Sequence, residues 1–329
     1  MREKISGRGI WEVLKNSAKG FGEDKLTKLS GSLAYYTVFS MGPLMIVIIF
    51  LGSIFLGQEA AQGKVFYQLQ GLLGTETAIQ IQEIIKNASL KGKTNSAAII
   101  GVVTLLIGAT TVFAEIQDSI NSIWGIKAKP KKGWLKFLQN RFLSFSVIIS
   151  LGFILLVSLA LTSIIDLFSQ RLQAAYPDVA VTIFYVINQL VTLSVISLIF
   201  AVVFKVLPDA KIKWRDVISG ALVTGLLFMI GKFLISFYIN KMEVGSTYGA
   251  AGSLVVLLLW TYYSSLILYF GAEFTKAYAV KYGSAIHPND YAVTTRQVEE
   301  EMGKKTVQQK EKVKIDKLAD KKSEVPPAS

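Results

Sequence analysis

The 329 residues are 52% hydrophobic and only 18% charged, too apolar a balance for an ordinary soluble domain. The absence of cysteine excludes disulfides, thiolate metal sites and a cysteine nucleophile; with His287 the single histidine, no metal and no cofactor are expected. A net charge of +12 would suit nucleic acid, but the basic residues follow a topological pattern, so no nucleic-acid partner is expected.

Residues 1–31 carry Arg2, Lys4, Arg8, Lys15, Lys19, Lys25 and Lys28 and lack the apolar core of a cleaved signal peptide. Ile10, Trp11, Leu14, Ala18 and Phe21 recur at helical spacing opposite Glu12, Lys15 and Lys19. This predicts an amphipathic helix, either lying on the membrane or packed beneath a bundle. Apolar stretches long enough for a ~30 Å hydrocarbon core at ~1.5 Å per residue follow at 33–56, 97–124, 142–165, 181–204, 216–239 and 248–276. Pro43, beside Gly42, is expected to kink or interrupt the first, because proline removes a donor and clashes with the preceding turn.

Between the first two spans, residues 57–96 hold two short amphipathic patterns, Val65 to Leu73 and Ile81 to Ala88, separated at Gly74 and Thr75. They predict two surface helices forming a small extracytoplasmic cap. Trp124 and Trp134 flank a basic linker as expected interfacial anchors. Beyond the sixth span, residues 281–329 are polar with mixed charge, and a mostly disordered cytoplasmic tail is expected. The resulting fold class is all-α: a polytopic membrane bundle of six transmembrane helices over residues 32–280. Most of the 35 Lys and Arg fall on the side holding both termini, so the positive-inside rule places the termini in the cytoplasm.

Polar residues within the spans are the candidate site. Glu115, Asp118 and Asn121 recur every three residues on the second span, and with Glu273 they fall toward the cytoplasmic end; Asn188, Gln189 and Lys232 fall in the outer half. Two polar layers with an apolar middle suit a transporter, with a site at each mouth of an intrabundle cavity. Each residue also has a plainer role: carboxylates paired at an interface, Lys232 snorkelling to headgroups, Asn188 and Gln189 bonding neighbouring helices, and Trp260, Tyr262 and Tyr263 as packing.

The segments LAYYTVFSMGPL (Leu33 to Leu44), FAEIQDSINSIWGI (Phe113 to Ile126) and YGAAGSLVVLLLWTYYSSLILYFGAEF (Tyr248 to Phe274) resemble, in order and spacing, the YihY / virulence factor BrkB family of bacterial membrane proteins. The resemblance covers residues 10 to 280 and implies a six-span protein of the bacterial cytoplasmic membrane. It implies no defined molecular activity; transport-like and envelope-related roles have been suggested, and members once carried a ribonuclease name. Three readings follow. The leading one is a transporter or lipid-handling protein acting on a small or amphipathic solute. The second is a structural or scaffolding envelope protein whose basic face meets membrane lipids. The third, a ribonuclease, lacks the clustered ligands or nucleophile–base pair that phosphodiester hydrolysis needs, so no enzyme and no catalytic residue is expected. Self-association is left open by the sequence.

Overall fold

The computed structural model describes residues 6–73, 75–88, 95–129, 177–241, 251–283 and 285–295, with parts of 142–157. Most of the expected third span, Trp134 and the tail after position 295 lie outside the described residues. The elements are α1 (Gly7–Glu23), α2 (Leu26–Leu56), α3 (Gln58–Leu73), α4 (Thr75–Ala88), α5 (Asn95–Ile123), β1 (Ile126–Ala128), α6 (Pro177–Val206), β2 (Ala210–Lys211), α7 (Trp214–Lys241), α8 (Gly252–Tyr282), β3 (His287–Pro288) and β4 (Ala292–Thr294). Among the described residues three helical stretches are long and apolar enough to cross a membrane: 183–206, 214–235 and 252–282.

The chain is mostly helical but not all-α. The start of the expected tail folds back as two strands, β4 pairing antiparallel with β1 and β3 with β2. Strands of two or three residues give no period-two signal, and Pro288 within β3 reads in sequence as a breaker. At position 43 α2 runs on as one helix from Leu26 to Leu56, so of the two expected outcomes, a kink or an interruption, the interruption does not occur. Helices in an apolar bundle tolerate proline when neighbours re-satisfy the freed backbone groups.

The main core gathers at the strand-bearing end, where α5 and α6 finish, α7 begins and α8 finishes. There Phe113, Ile116, Ile120 and Ile123 of α5 meet Phe200 and Phe204 of α6, Val217 of α7, and Leu268 and Tyr269 of α8. Trp124, expected at an interface, is buried here, and its indole N–H donates to the Ala272 carbonyl at 3.0 Å. Helix α5 then stops because Gly125 takes a left-handed conformation (φ 65°), a backbone turn favoured by glycine, and β1 follows at once.

Helices α7 and α8 lie antiparallel along a seam of small residues. A Cβ on Gly220 would run into the Thr275 hydroxyl, and one on Gly271 into that of Thr224, so glycine and threonine face each other reciprocally. Both hydroxyls are satisfied, each donating 2.7 Å to a carbonyl one turn earlier, from Thr224 to Gly220 and from Thr275 to Gly271. Close approach therefore costs no orphaned polar atom.

At the other end α3 and α4 form the expected helix pair. Ile81 of α4 is buried in a cluster with Met41 of α2, Ile235 of α7 and Leu257 and Trp260 of α8. Ser253, in the first turn of α8, donates to Gln80, and Ile79, Gln80, Gln82 and Glu83 are exposed, so α4 lies near the start of α8 with one face buried and the other open.

Helix α1 packs against α8. Its buried stripe is Gly9, Val13, Ser17 and Gly20, whereas Trp11 and Ala18 of the expected apolar face are exposed. A Cβ at Gly9 would strike the Tyr282 hydroxyl and one at Gly20 the Glu273 carboxylate, so small residues set the docking distance.

Candidate functional site

The polar residues fall into two groups, one buried and one exposed. The buried group centres on Asp209, in the turn between α6 and α7. Its carboxylate accepts from the Gln117 amide (3.0 Å), the Asn121 amide (3.1 Å) and the Tyr291 hydroxyl (3.0 Å). Its backbone N–H donates to Asn121 Oδ1 (2.8 Å), and its carbonyl accepts from the Asn289 N–H (2.9 Å). Asp209, Gln117 and Asn121 are 2%, 0% and 5% exposed. A carboxylate so deeply buried persists only with its lone pairs occupied, and these bonds supply that from two other parts of the chain, α5 and Tyr291. Gln117 Oε1 is buried with no hydrogen-bond partner.

Of the three residues expected to share a face of α5, only Asn121 joins this cluster; Glu115 is half-buried and Asp118 exposed. Positions three apart drift by about 60° per step around a 3.6-residue helix, so three of them cannot hold one line, whereas Gln117 and Asn121, four apart, stay close to one. Asp118, Asn121 and Ser122 border an open hollow of about 330 Å3 at the end of α5, completed by Ile126, Lys127, Ala128 and Thr295.

Glu273, 4% exposed, lies under Gly20 of α1. Lys276 bridges it (3.2 Å) to Asp24 at the α1–α2 junction (2.9 Å). This is the paired role weighed for it in sequence, extended to a three-residue network that fixes α1.

The exposed group is on α6 and α7. Asn188, Gln189 and Lys232 are all exposed, and the six consecutive residues 185–190 are exposed around the whole circumference of α6. A Cβ at Gly225 would lie 2.5 Å from Ser197 Oγ, which fixes the antiparallel register of α6 and α7. Seven residues further along α7 and seven back along α6 bring Lys232 level with Leu190 and Gln189. These residues thus stand at similar levels along the two helices, and all are exposed. Ile230, Phe233, Leu234 and Phe237, each more than half exposed, form an apolar stripe on the side of α7 turned away from Lys232.

The sequence reading missed Asp209, Gln117 and Tyr291. Asp209 follows Pro208 in a short basic turn, where an acid reads as a solvated loop residue, and its partners lie 92 residues before it and 82 after.

Long apolar helices, polar groups near their ends and a small-residue seam define a helical membrane protein. Residues 17–292 match the virulence factor BrkB family, and the chain belongs to that family. Its relatives include a UPF0761 membrane protein of Aeromonas salmonicida, 29% identical over 262 residues, covering 78% of this chain and 84% of the relative. Another is a UPF0761 membrane protein of Prosthecochloris aestuarii, 27% identical over 286 residues and covering 85% of this chain. The chain spans only 63% of the length of that second relative. No solved structure matches the chain.

Proposed function

We propose that this protein is a six-span protein of the bacterial cytoplasmic membrane, with both termini inside, that transports or otherwise handles an amphiphile. The observation that carries the reading is the level shared by Lys232, Gln189 and Asn188 on the open α6–α7 face. Lys232 lies roughly 14 Å from the end of α7 at ~1.5 Å per residue, on the side of the helix that Gly225 turns toward α6. A lysine deep in hydrocarbon costs about 2.5–3.5 kcal/mol on insertion scales, and an anionic headgroup held beside the two amides would offset that cost. Val186, Ile187 and Leu190, exposed at the same level of α6, would take the acyl chains. The strand-bearing end carries the main core, whereas the opposite half of α6 and α7 is exposed, as expected of a laterally accessible site facing one side of the membrane. The basic residues assign the strand-bearing end to the cytoplasm. Membrane lipids are the partners this reading requires, and no catalytic step is part of it.

An open face can also dock a protein, which keeps the scaffold reading as the alternative. Single cysteines at 188, 189 and 232, in a chain with none of its own, discriminate between them. Labelling by a lipid-soluble thiol reagent that an anionic phospholipid suppresses supports amphiphile handling; suppression by raising protein density alone supports docking.

A further inference from the structure

The segment from His287 to Thr295 joins two loops that the chain otherwise leaves apart. β3 pairs with the α6–α7 turn, Ala210 opposite Pro288 and Lys211 opposite His287. β4 pairs with the residues after α5, Ile126 opposite Thr294 and Ala128 opposite Ala292. Between the strands, the Asn289 N–H donates to the Asp209 carbonyl and the Tyr291 hydroxyl to the Asp209 carboxylate. The Lys129 N–H donates to the Tyr291 carbonyl (2.9 Å) and the Thr295 N–H to that of Gly125 (2.7 Å).

The hold on this segment is thin for what it covers. Every residue from 285 to 295 is half-buried or exposed, so hydrogen bonds secure it together with the limited packing of Ile286 and Ala292 against the main core. Its ion pair, Lys211 with Asp290 at 2.6 Å, is solvent-exposed and contributes little. Beneath it lie the buried Gln117, Asn121 and Asp209. Elements with few buried contacts and surface hydrogen bonds open locally, without global unfolding. The hollow beside Asn121 and Thr295 gives water a route inward, and the unpartnered Gln117 Oε1 is a group that arriving water would satisfy.

We propose that His287–Thr295 is a releasable strap whose catch is Tyr291 on Asp209. With the strap closed, the ends of α5, α6 and α7 are tied together; its release frees the α6–α7 turn from α5 and admits water to the Gln117–Asn121–Asp209 cluster. The device does not depend on the proposed handling of an amphiphile.

Ala128 and Ala292 face each other at a non-hydrogen-bonded position of the β1–β4 pair, because the flanking bonds run between Gly125 and Thr295 and between Lys129 and Tyr291. Such pairs bring Cβ atoms within disulfide reach. The full chain carrying Ala128→Cys and Ala292→Cys can therefore be locked and unlocked by oxidant and reductant. Amide hydrogen exchange is followed in the strap, at Asp209 and, as a reference, along the α7–α8 seam. In the reduced protein the strap and Asp209 amides exchange at least tenfold faster than the seam; oxidation slows both at least tenfold, and reductant restores them. Tyr291→Phe, which needs no disulfide, speeds both about tenfold and leaves the seam unchanged. A strap that exchanges as slowly as the seam overturns the proposal. So does an Asp209 amide indifferent to both the disulfide and Tyr291→Phe.

Discussion

The α7–α8 seam allows two opposed effects of one methyl group to be weighed. Gly220→Ala should gain about 0.5–1 kcal/mol from helix propensity, since glycine is the poorer helix former. Against this, the new Cβ overlaps the Thr275 hydroxyl and sits 2.8 Å from Thr275 Cβ and 3.2 Å from Thr275 Cα. The last is a backbone atom that no rotamer change moves, and Thr275 is fully buried with its hydroxyl committed to the Gly271 carbonyl. Overpacking of this kind costs about 1–3 kcal/mol, so the clash wins and the net effect is a loss of about 1–2 kcal/mol. Thr275→Ala removes the hydroxyl that the added methyl strikes but leaves Cβ and Cα in place, so the double variant should recover only part of that loss, with a coupling energy of about 0.5 kcal/mol or more. Reversible unfolding in mixed micelles gives the four stabilities of the cycle. If Gly220→Ala alone proves as stable as the parent, or the two substitutions simply add, the seam is not packed as described.

Three further outcomes follow from the same geometry. Gly20→Val should expel α1 from α8 by driving into Glu273; a reporter Ser17→Cys, protected in the parent, should then label readily with a water-soluble thiol reagent. Trp124→Phe removes the indole donor to the buried Ala272 carbonyl and should cost about 1–3 kcal/mol in the same unfolding assay, the penalty of a lost buried bond. Lys281, hydrogen-bonded to Glu12, holds that carboxyl below its ordinary value of 4.5. A depressed carboxyl favours the docked state above its unfolded pKa, and that contribution fades as pH falls through the folded one. Acidification below about pH 4 should therefore shift Trp11 fluorescence slightly, and Glu12→Gln should abolish the shift. Because the pair is exposed, high salt should shrink it too.

What could be read from sequence was whatever repeats at a short period. The break between α3 and α4 at Gly74 and Thr75, and the apolar lengths of α6, α7 and α8, are local signals and match the described helices. The buried face of α1 was legible in part: Ile10, Leu14 and Phe21 pack as expected, but the line of closest approach is built from small residues, Gly9, Ser17 and Gly20, which carry no hydrophobic signal. The partners of Ile81 on α4, Met41, Ile235 and Trp260, lie on three other helices and are not encoded in the amphipathic pattern that marks α4 itself. The Asp209 cluster joins α5, the α6–α7 turn and the start of the tail, a long-range arrangement that no spacing rule encodes. Conversely, Asn188, Gln189 and Lys232 stand out in sequence as unusual, but whether a polar residue in a span faces inward or outward depends on neighbouring helices.

The central claim is that Lys232 on the open α6–α7 face holds an anionic headgroup. Its most direct test is transbilayer movement of a fluorescent anionic phospholipid in vesicles reconstituted with the purified protein, compared with Lys232→Ala and Lys232→Arg at equal folded content. The account predicts movement above that of protein-free vesicles, reduced at least tenfold by Lys232→Ala and largely kept by Lys232→Arg. Movement no faster than in protein-free vesicles, or equal in the parent and Lys232→Ala, would contradict it.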